Sequence, residues 1–146
     1  MNNEELIRLA FEARERAYAP YSHWKVGAAL LTRDGKIYQG CNIENSGFTA
    51  TNCAERTAFF KAIYEGVYDF AKIAIVGGDE QKGVEGYCFP CGVCRQVMSE
   101  FCNPDDFRVL IAKSPEEYVD YTLRELIPGC NFVAMNDGYG FVGGKQ

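Results

Sequence analysis

Two short cysteine motifs, each opening an apolar helical run, constrain this chain more than any other feature. Cys53-x-Glu55 begins one run and Pro90-Cys91-x-x-Cys94 begins another. A cysteine in the first turn of a helix meets unpaired backbone N–H groups and the positive end of the dipole, which favour the thiolate. Cys91 and Cys94, three residues apart, project from one side of a turn and can share a metal ion. If the two helix starts lie side by side, Cys53 supplies a third thiolate. Three protein ligands leave one tetrahedral position for water, the arrangement of a catalytic zinc.

Three thiolates on Zn²⁺ give a site of net charge about −1, which weakens the metal as a Lewis acid. The offset has to come from positive charge nearby, and Arg56 follows Glu55 directly. A guanidinium donating to a ligand sulfur would restore acidity to a bound water. Glu55, two residues from Cys53, is placed to move protons there. Simpler readings stay open at this point. Glu55 lies three residues after Asn52 and can complete a capping box. Cys88 has the same spacing to Cys91 that Cys91 and Cys94 imply, so a closed structural zinc with Cys88 as fourth ligand is possible, as are plain buried thiols. Cys41, Cys102 and Cys130 lack such spacing and read as core or interface thiols. His23, the one histidine, belongs to no motif and reads as a loop residue.

The cysteine count supports metal chemistry over a disulfide framework. Seven is odd, and the N-terminus alternates charge with apolar residues, unlike a signal peptide or a membrane span. The cytoplasm is the expected location. The 146 residues suit one domain, and 47% hydrophobic content is enough for an ordinary core. Net charge is −5 without a Lys/Arg cluster, so a small substrate is favoured over a nucleic-acid strand.

Periodicity orders the rest. A helix is expected over Glu4–Tyr18, ended by Pro20. Val26–Leu31 and Lys36–Ile43 read as a hairpin around Asp34-Gly35. A helix should run from Cys53 to about Glu65, stopped by Gly66. Ala71–Val76 reads as a buried strand ending at Gly77-Gly78, and a third helix spans Cys91–Phe101. A strand at Phe107–Ala112 and a short helix near Thr122–Ile127 complete the pattern. A hairpin followed by alternating helices and strands predicts an α/β fold, a mixed sheet with helices on its faces. The helix from Cys53 is apolar almost all round, with Phe59, Phe60 and Ile63, so its second side should meet protein.

Cys53-Ala54-Glu55 and Pro90-Cys91-Gly92-Val93-Cys94-Arg95-Gln96 resemble the small homotetrameric cytidine deaminases. The likeness continues through Tyr18-Ala19-Pro20-Tyr21-Ser22, Val26-Gly27-Ala28-Ala29-Leu30-Leu31 and Gly40-Cys41-Asn42-Ile43-Glu44-Asn45, covering about residues 4–129. The resemblance implies an α/β/α sandwich, Zn²⁺ held by Cys53, Cys91 and Cys94, and Glu55 as proton shuttle. It implies Asn42 and Glu44 as partners of the ribose hydroxyl, with Ala54 also at the substrate. It further implies a small nucleoside substrate, a role in pyrimidine salvage, and neither nucleic-acid nor membrane partners. Trp24 stands where the family's nucleoside-packing aromatic is usually phenylalanine, and Phe89 where a small residue is usual. The tail from about residue 130 departs from the family's ending, although Phe132 is a candidate for the aromatic that enters a neighbouring subunit's pocket. These departures surround the pocket, so a deaminase of a modified cytosine nucleoside, like the blasticidin S deaminases, is an alternative. A zinc-stabilised binding module with no activity is a third reading, against which the presence of Glu55 counts.

Overall fold

Residues 24–32 are apolar on both faces of a strand, and that requires cover on two sides. In the computed structural model, which describes residues 1–130, this stretch is β1 (Trp24–Thr32) near the centre of a five-stranded sheet. It pairs antiparallel with β2 (Ile37–Cys41) on one side and with β3 (Phe70–Asp79) on the other. Beyond β3 the sheet continues through parallel β4 (Arg108–Ala112) and antiparallel β5 (Tyr118–Thr122), giving the order β2-β1-β3-β4-β5. Helix α1 (Asn3–Arg14) covers one face, its Leu6, Ile7 and Ala10 packing with Ala29, Leu31, Ala74 and Val76. Helices α2 (Ala54–Tyr64) and α3 (Gly92–Phe101) cover the other, where Phe59 and Met98 meet Leu30, Ile73 and Ile75. A short α4 (Leu123–Leu126), capped by Thr122 and Glu125, joins the same layer. The expected mixed sheet with helices on both faces is the fold found.

Two close approaches set the layer spacing. A Cβ on Gly27 would lie 2.1 Å from the Ala10 carbonyl oxygen, and one on Gly40 would lie 2.3 Å from the Ala54 carbonyl oxygen. Backbone of α1 and of α2 therefore rests directly on the sheet. Gly27→Ala cannot be absorbed by a side-chain shift. It should cost at least about 1–3 kcal/mol, the range for overpacking a core. The urea midpoint reads this, and an unchanged midpoint would mean that α1 does not sit against β1.

Several boundaries differ from the periodicity. Helix α1 stops at Arg14 rather than Tyr18. The Tyr18 N–H donates to the Asn42 carbonyl, and the Glu44 N–H donates to the Tyr18 carbonyl, so this segment bridges to residues 42–44 instead of continuing the helix. Arg14 is buried and donates to the carbonyls of Lys25, Gly78 and Asp79, tying the helix end to β1 and β3. Strand β3 does not end at Gly77-Gly78, because both glycines remain paired with β1, opposite Val26 and Lys25. Strand β5 was not expected at all. Its residues are only half buried and lack a clear apolar alternation.

Helix α2 is covered on one side only. Ala54, Ala58, Phe59 and Ala62 are buried, while Phe60 and Tyr64 on the outer side are 47% and 92% exposed. Among the described residues no helix is long and apolar enough to cross a membrane.

Candidate metal centre and active site

The sheet order brings the two cysteine motifs together. Trp24 at the start of β1 pairs with Asp79 at the end of β3, and Gly27 pairs with Cys41 at the end of β2. One end of the sheet therefore holds the exits of β2 and β3, and the chain starts α2 and α3 after leaving them. Cys53 is the N-cap of α2 and Cys91 is the N-cap of α3. Both have extended backbone, and neither side chain caps its own helix. Their sulfurs are free to point toward each other. Pro90 starts the second helix, and Arg95 holds it by donating to the Pro90 carbonyl (2.8 Å) and the Leu126 carbonyl (2.6 Å).

The sulfurs of Cys53, Cys91 and Cys94 all lie within 4.8 Å of one another. Two of the separations are 3.7 Å (Cys53–Cys91) and 3.5 Å (Cys91–Cys94). Zn–S bonds of about 2.3 Å at tetrahedral angles place sulfurs about 3.8 Å apart, so the three thiols fit a zinc ion. Cys88 does not belong to this group. Three thiols this close cannot all ionise unless a cation shares their charge. Cys53, which receives hydrogen bonds from Cys94 and Arg56, is held down to about 5, and Cys94, which keeps its proton and donates it in a hydrogen bond to Cys53, is pushed up by that bond and by burial. Cys53 is thus the thiol most ready to ionise for a metal.

Arg56 Nη2 donates to Cys53 Sγ at 3.3 Å and to the Thr51 carbonyl at 3.4 Å. The guanidinium places positive charge against a ligand sulfur. Glu55 is 4% exposed and lies in the first turn of α2. Burial pushes its carboxyl up to about 7, with the neighbouring Cys53 charge adding to the rise and Arg56 opposing it. A carboxyl poised near neutrality can both take and give a proton. The capping-box reading of Glu55 fails. The N-cap is Cys53, and the Asn52 amide donates to Thr57 Oγ1 instead.

Glu55 faces a cavity of about 200 Å³ lined also by Val26, Asn42, Thr51, Ala54, Phe89 and three cysteines, Cys53, Cys88 and Cys91. The structure thus brings Asn42, Ala54 and Glu55 to one space beside the thiols. Asn42 is buried, its Oδ1 accepting from the Val26 N–H and its Nδ2 donating to the Trp24 carbonyl, both at 2.8 Å. One amide hydrogen and one lone pair are left for a ligand. Glu44 is outside the lining. Its carboxylate accepts from the N–H groups of Tyr21 (3.0 Å) and Ser22 (3.1 Å) and from the Ser22 hydroxyl. Trp24 is 46% exposed and also outside the enclosed part, although Asn42, on its carbonyl, lines it. Phe132 and the tail after residue 130 lie outside the described residues. Val26 and Thr51 line the cavity with no signal in the sequence, since neither residue type carries chemistry. His23 is on a loop, as its lack of a motif suggested, in left-handed backbone (φ 58°) and paired with Glu80 at 3.0 Å.

Known proteins resemble this chain over most of its length. The family model described as "Cytidine and deoxycytidylate deaminase zinc-binding region" matches residues 1–110. A cytidine deaminase of Sporosarcina psychrophila is 50% identical over 88% of this chain and 90% of its own length. The crystal structure of a cytidine deaminase from Burkholderia pseudomallei is 44% identical and superposes with a TM-score of 0.81, covering 90% of this chain and all of the other. A blasticidin-S deaminase of Bacillus cereus is 36% identical over 85% of this chain and 88% of its own length.

Proposed function

The chain belongs to the zinc-dependent cytidine and deoxycytidylate deaminase family, and from that premise we propose that it hydrolyses cytidine and deoxycytidine to uridine and deoxyuridine, releasing ammonia. One observation carries the reading: a buried carboxyl poised near neutrality shares a small cavity with thiols that fit zinc. Cys53, Cys91 and Cys94 would hold the ion, and the chemistry it would supply is a bound water acidic enough to attack at neutral pH. Glu55 accepts a proton from the attacking water and delivers one to N3 of the base as the C4–O bond forms. It then takes the proton of the new C4 hydroxyl and passes it to the exocyclic amine, so that C4=O forms as the C4–N bond breaks and ammonia leaves. Arg56 offsets the thiolate charge, and the low exposure of Glu55 keeps bulk water from competing for the proton.

Asn42 and Glu44 hold the ribose hydroxyl. The free valences of the Asn42 amide support that role for Asn42. For Glu44 the support is the bridged segment 42–44 it shares with Asn42. Asn42→Ala should cost cytidine turnover about 1–3 kcal/mol, the penalty of an unpaired buried polar partner, and should spare free cytosine. Equal loss on both compounds would mean that Asn42 serves only to close the β1–β2 ladder.

The absorbance change at 280 nm with purified protein tests the activity directly. Turnover of cytidine and deoxycytidine is expected, and none on either compound would overturn the reading. Blasticidin S belongs in the same series, because Phe89, standing where the family usually has a small residue, lines the cavity. The 36% identity to a blasticidin-S deaminase favours that second reading. A free nucleoside fits better than a strand, given the net charge of −5. We place the whole chain in one domain, working in pyrimidine salvage in the cytoplasm. The exposed Phe60 and Tyr64 support a homo-oligomer in which a neighbour covers the outer side of α2, and the resemblance to the family makes that a homotetramer. Light scattering gives the mass, and a monomer with full activity would rule the assembly out.

A further inference from the structure

Cys88 is a cavity residue that the chemistry above does not use. It stands three residues before Cys91 but outside the three-thiol group, half buried in the loop that leads into α3. Its seat is made by a glycine. A Cβ on Gly77 would lie 2.6 Å from Cys88 Sγ, 2.7 Å from Cys88 Cβ and 3.2 Å from Val26 Cγ2. Gly77 of β3 is the cross-strand partner of Val26 of β1. The thiol therefore drops into a notch where β3 has no side chain, beside Val26 on the cavity wall.

Trp24 is two residues from Val26 on β1 and points to the same face. Diagonal neighbours on a sheet are within reach of a large ring. The indole donates toward the Cys88 sulfur, which offsets part of the upward push that burial gives this thiol. Trp24 is also the first residue of its strand, next to His23 in left-handed backbone, and is 46% exposed. Its backbone carbonyl is fixed by Asn42, and its indole meets Cys88; both of these residues line the cavity.

We propose that Cys88 is a positioning residue: seated in the Gly77 notch, it holds the Trp24 indole as the outer wall against which the nucleoside packs. This rests on the reading of Trp24 as a substrate contact. The same glycine is then part of the specificity of the site, since any side chain at residue 77 would displace the sulfur. The wall is set by a pair of residues, tryptophan and cysteine, and neither substitution alone reproduces it.

Trp24 is the chain's one tryptophan, so tryptophan emission comes from this ring alone. In the zinc-loaded full chain, Cys88→Ala should retain zinc and change the intensity and wavelength of that emission. KM for cytidine should rise about tenfold, the low end of what one lost pocket contact costs, with the loss falling on KM rather than kcat. Cys88→Ser, whose hydroxyl still accepts, should recover most of the KM. Gly77→Ala should alter emission and KM as Cys88→Ala does, which keeps the idea testable if one variant folds poorly. In a Trp24→Phe background, with no indole N–H, Cys88→Ala should have no further effect on KM. An unchanged emission, or an equal rise in KM in both backgrounds, overturns the proposal. A changed emission together with a Trp24→Ala variant of unaltered KM overturns instead the reading of Trp24 as a substrate wall.

Discussion

Glu55→Gln should give a folded, zinc-loaded protein whose kcat on cytidine is lower by at least about 10²–10⁴-fold, the range for losing one general acid–base group. Fold and metal should survive for local reasons. Glu55 is not the N-cap, because Cys53 holds that position and Asn52 is engaged with Thr57, and a glutamine oxygen can still accept from the backbone N–H of its own residue. Glutamine has the same length, and a neutral amide is no harder to bury than a carboxyl already pushed up to about 7. The lost function is proton transfer, which an amide cannot perform at any of the successive points of the reaction. Zinc content and circular dichroism should match the parent, while 280 nm turnover collapses. A variant that keeps most of its activity would remove Glu55 from the mechanism.

Loss of zinc is the second large effect. Cys94→Ala and Cys91→Ala should each fall well below the parent's one zinc per chain, with turnover lost in parallel, whereas Cys88→Ala should keep its metal. Two thiolates cannot hold zinc against solvent as three do. The pair of variants separates metal loss from damage to the core. Cys94 is 1% exposed and packs within the α2–α3 layer, so its removal also opens a small void there. Cys91 is exposed at the helix start and leaves the core intact. Zinc retained by Cys94→Ala and lost by Cys88→Ala would reassign the ligands to the loop.

The sequence by itself determined what depends on neighbours along the chain. Pro90 and Gly66 mark helix ends through backbone chemistry that any context respects, so α2 and α3 lie within a residue or so of where periodicity puts them. Cys91 and Cys94 fall on one side of a turn because of the helical repeat. Arg56 reaches the sulfur of Cys53 because the two lie three apart in one helix start. The resemblance of the motifs then carried the family and the layered fold.

Tertiary structure decided what depends on residues far apart. Helix α1 reads as continuing to Tyr18, but pairing with Asn42 and Glu44 gives that segment partners the helix cannot offer. Gly77 and Gly78 look like a strand end, yet β1 pairs with both, and the bare Gly77 is where Cys88 sits. Glu44 was matched to a sugar contact, but its carboxylate also holds the turn at Tyr21 and Ser22, which no local pattern announces. Above all, Cys53 and Cys91 are 38 residues apart. What brings them within 3.7 Å is the pairing of β2 and β3 antiparallel to β1, which sends the ends of both strands out at the same end of the sheet. Spacing places ligands along one helix, whereas only hydrogen-bonded strands fix where two helices begin relative to each other.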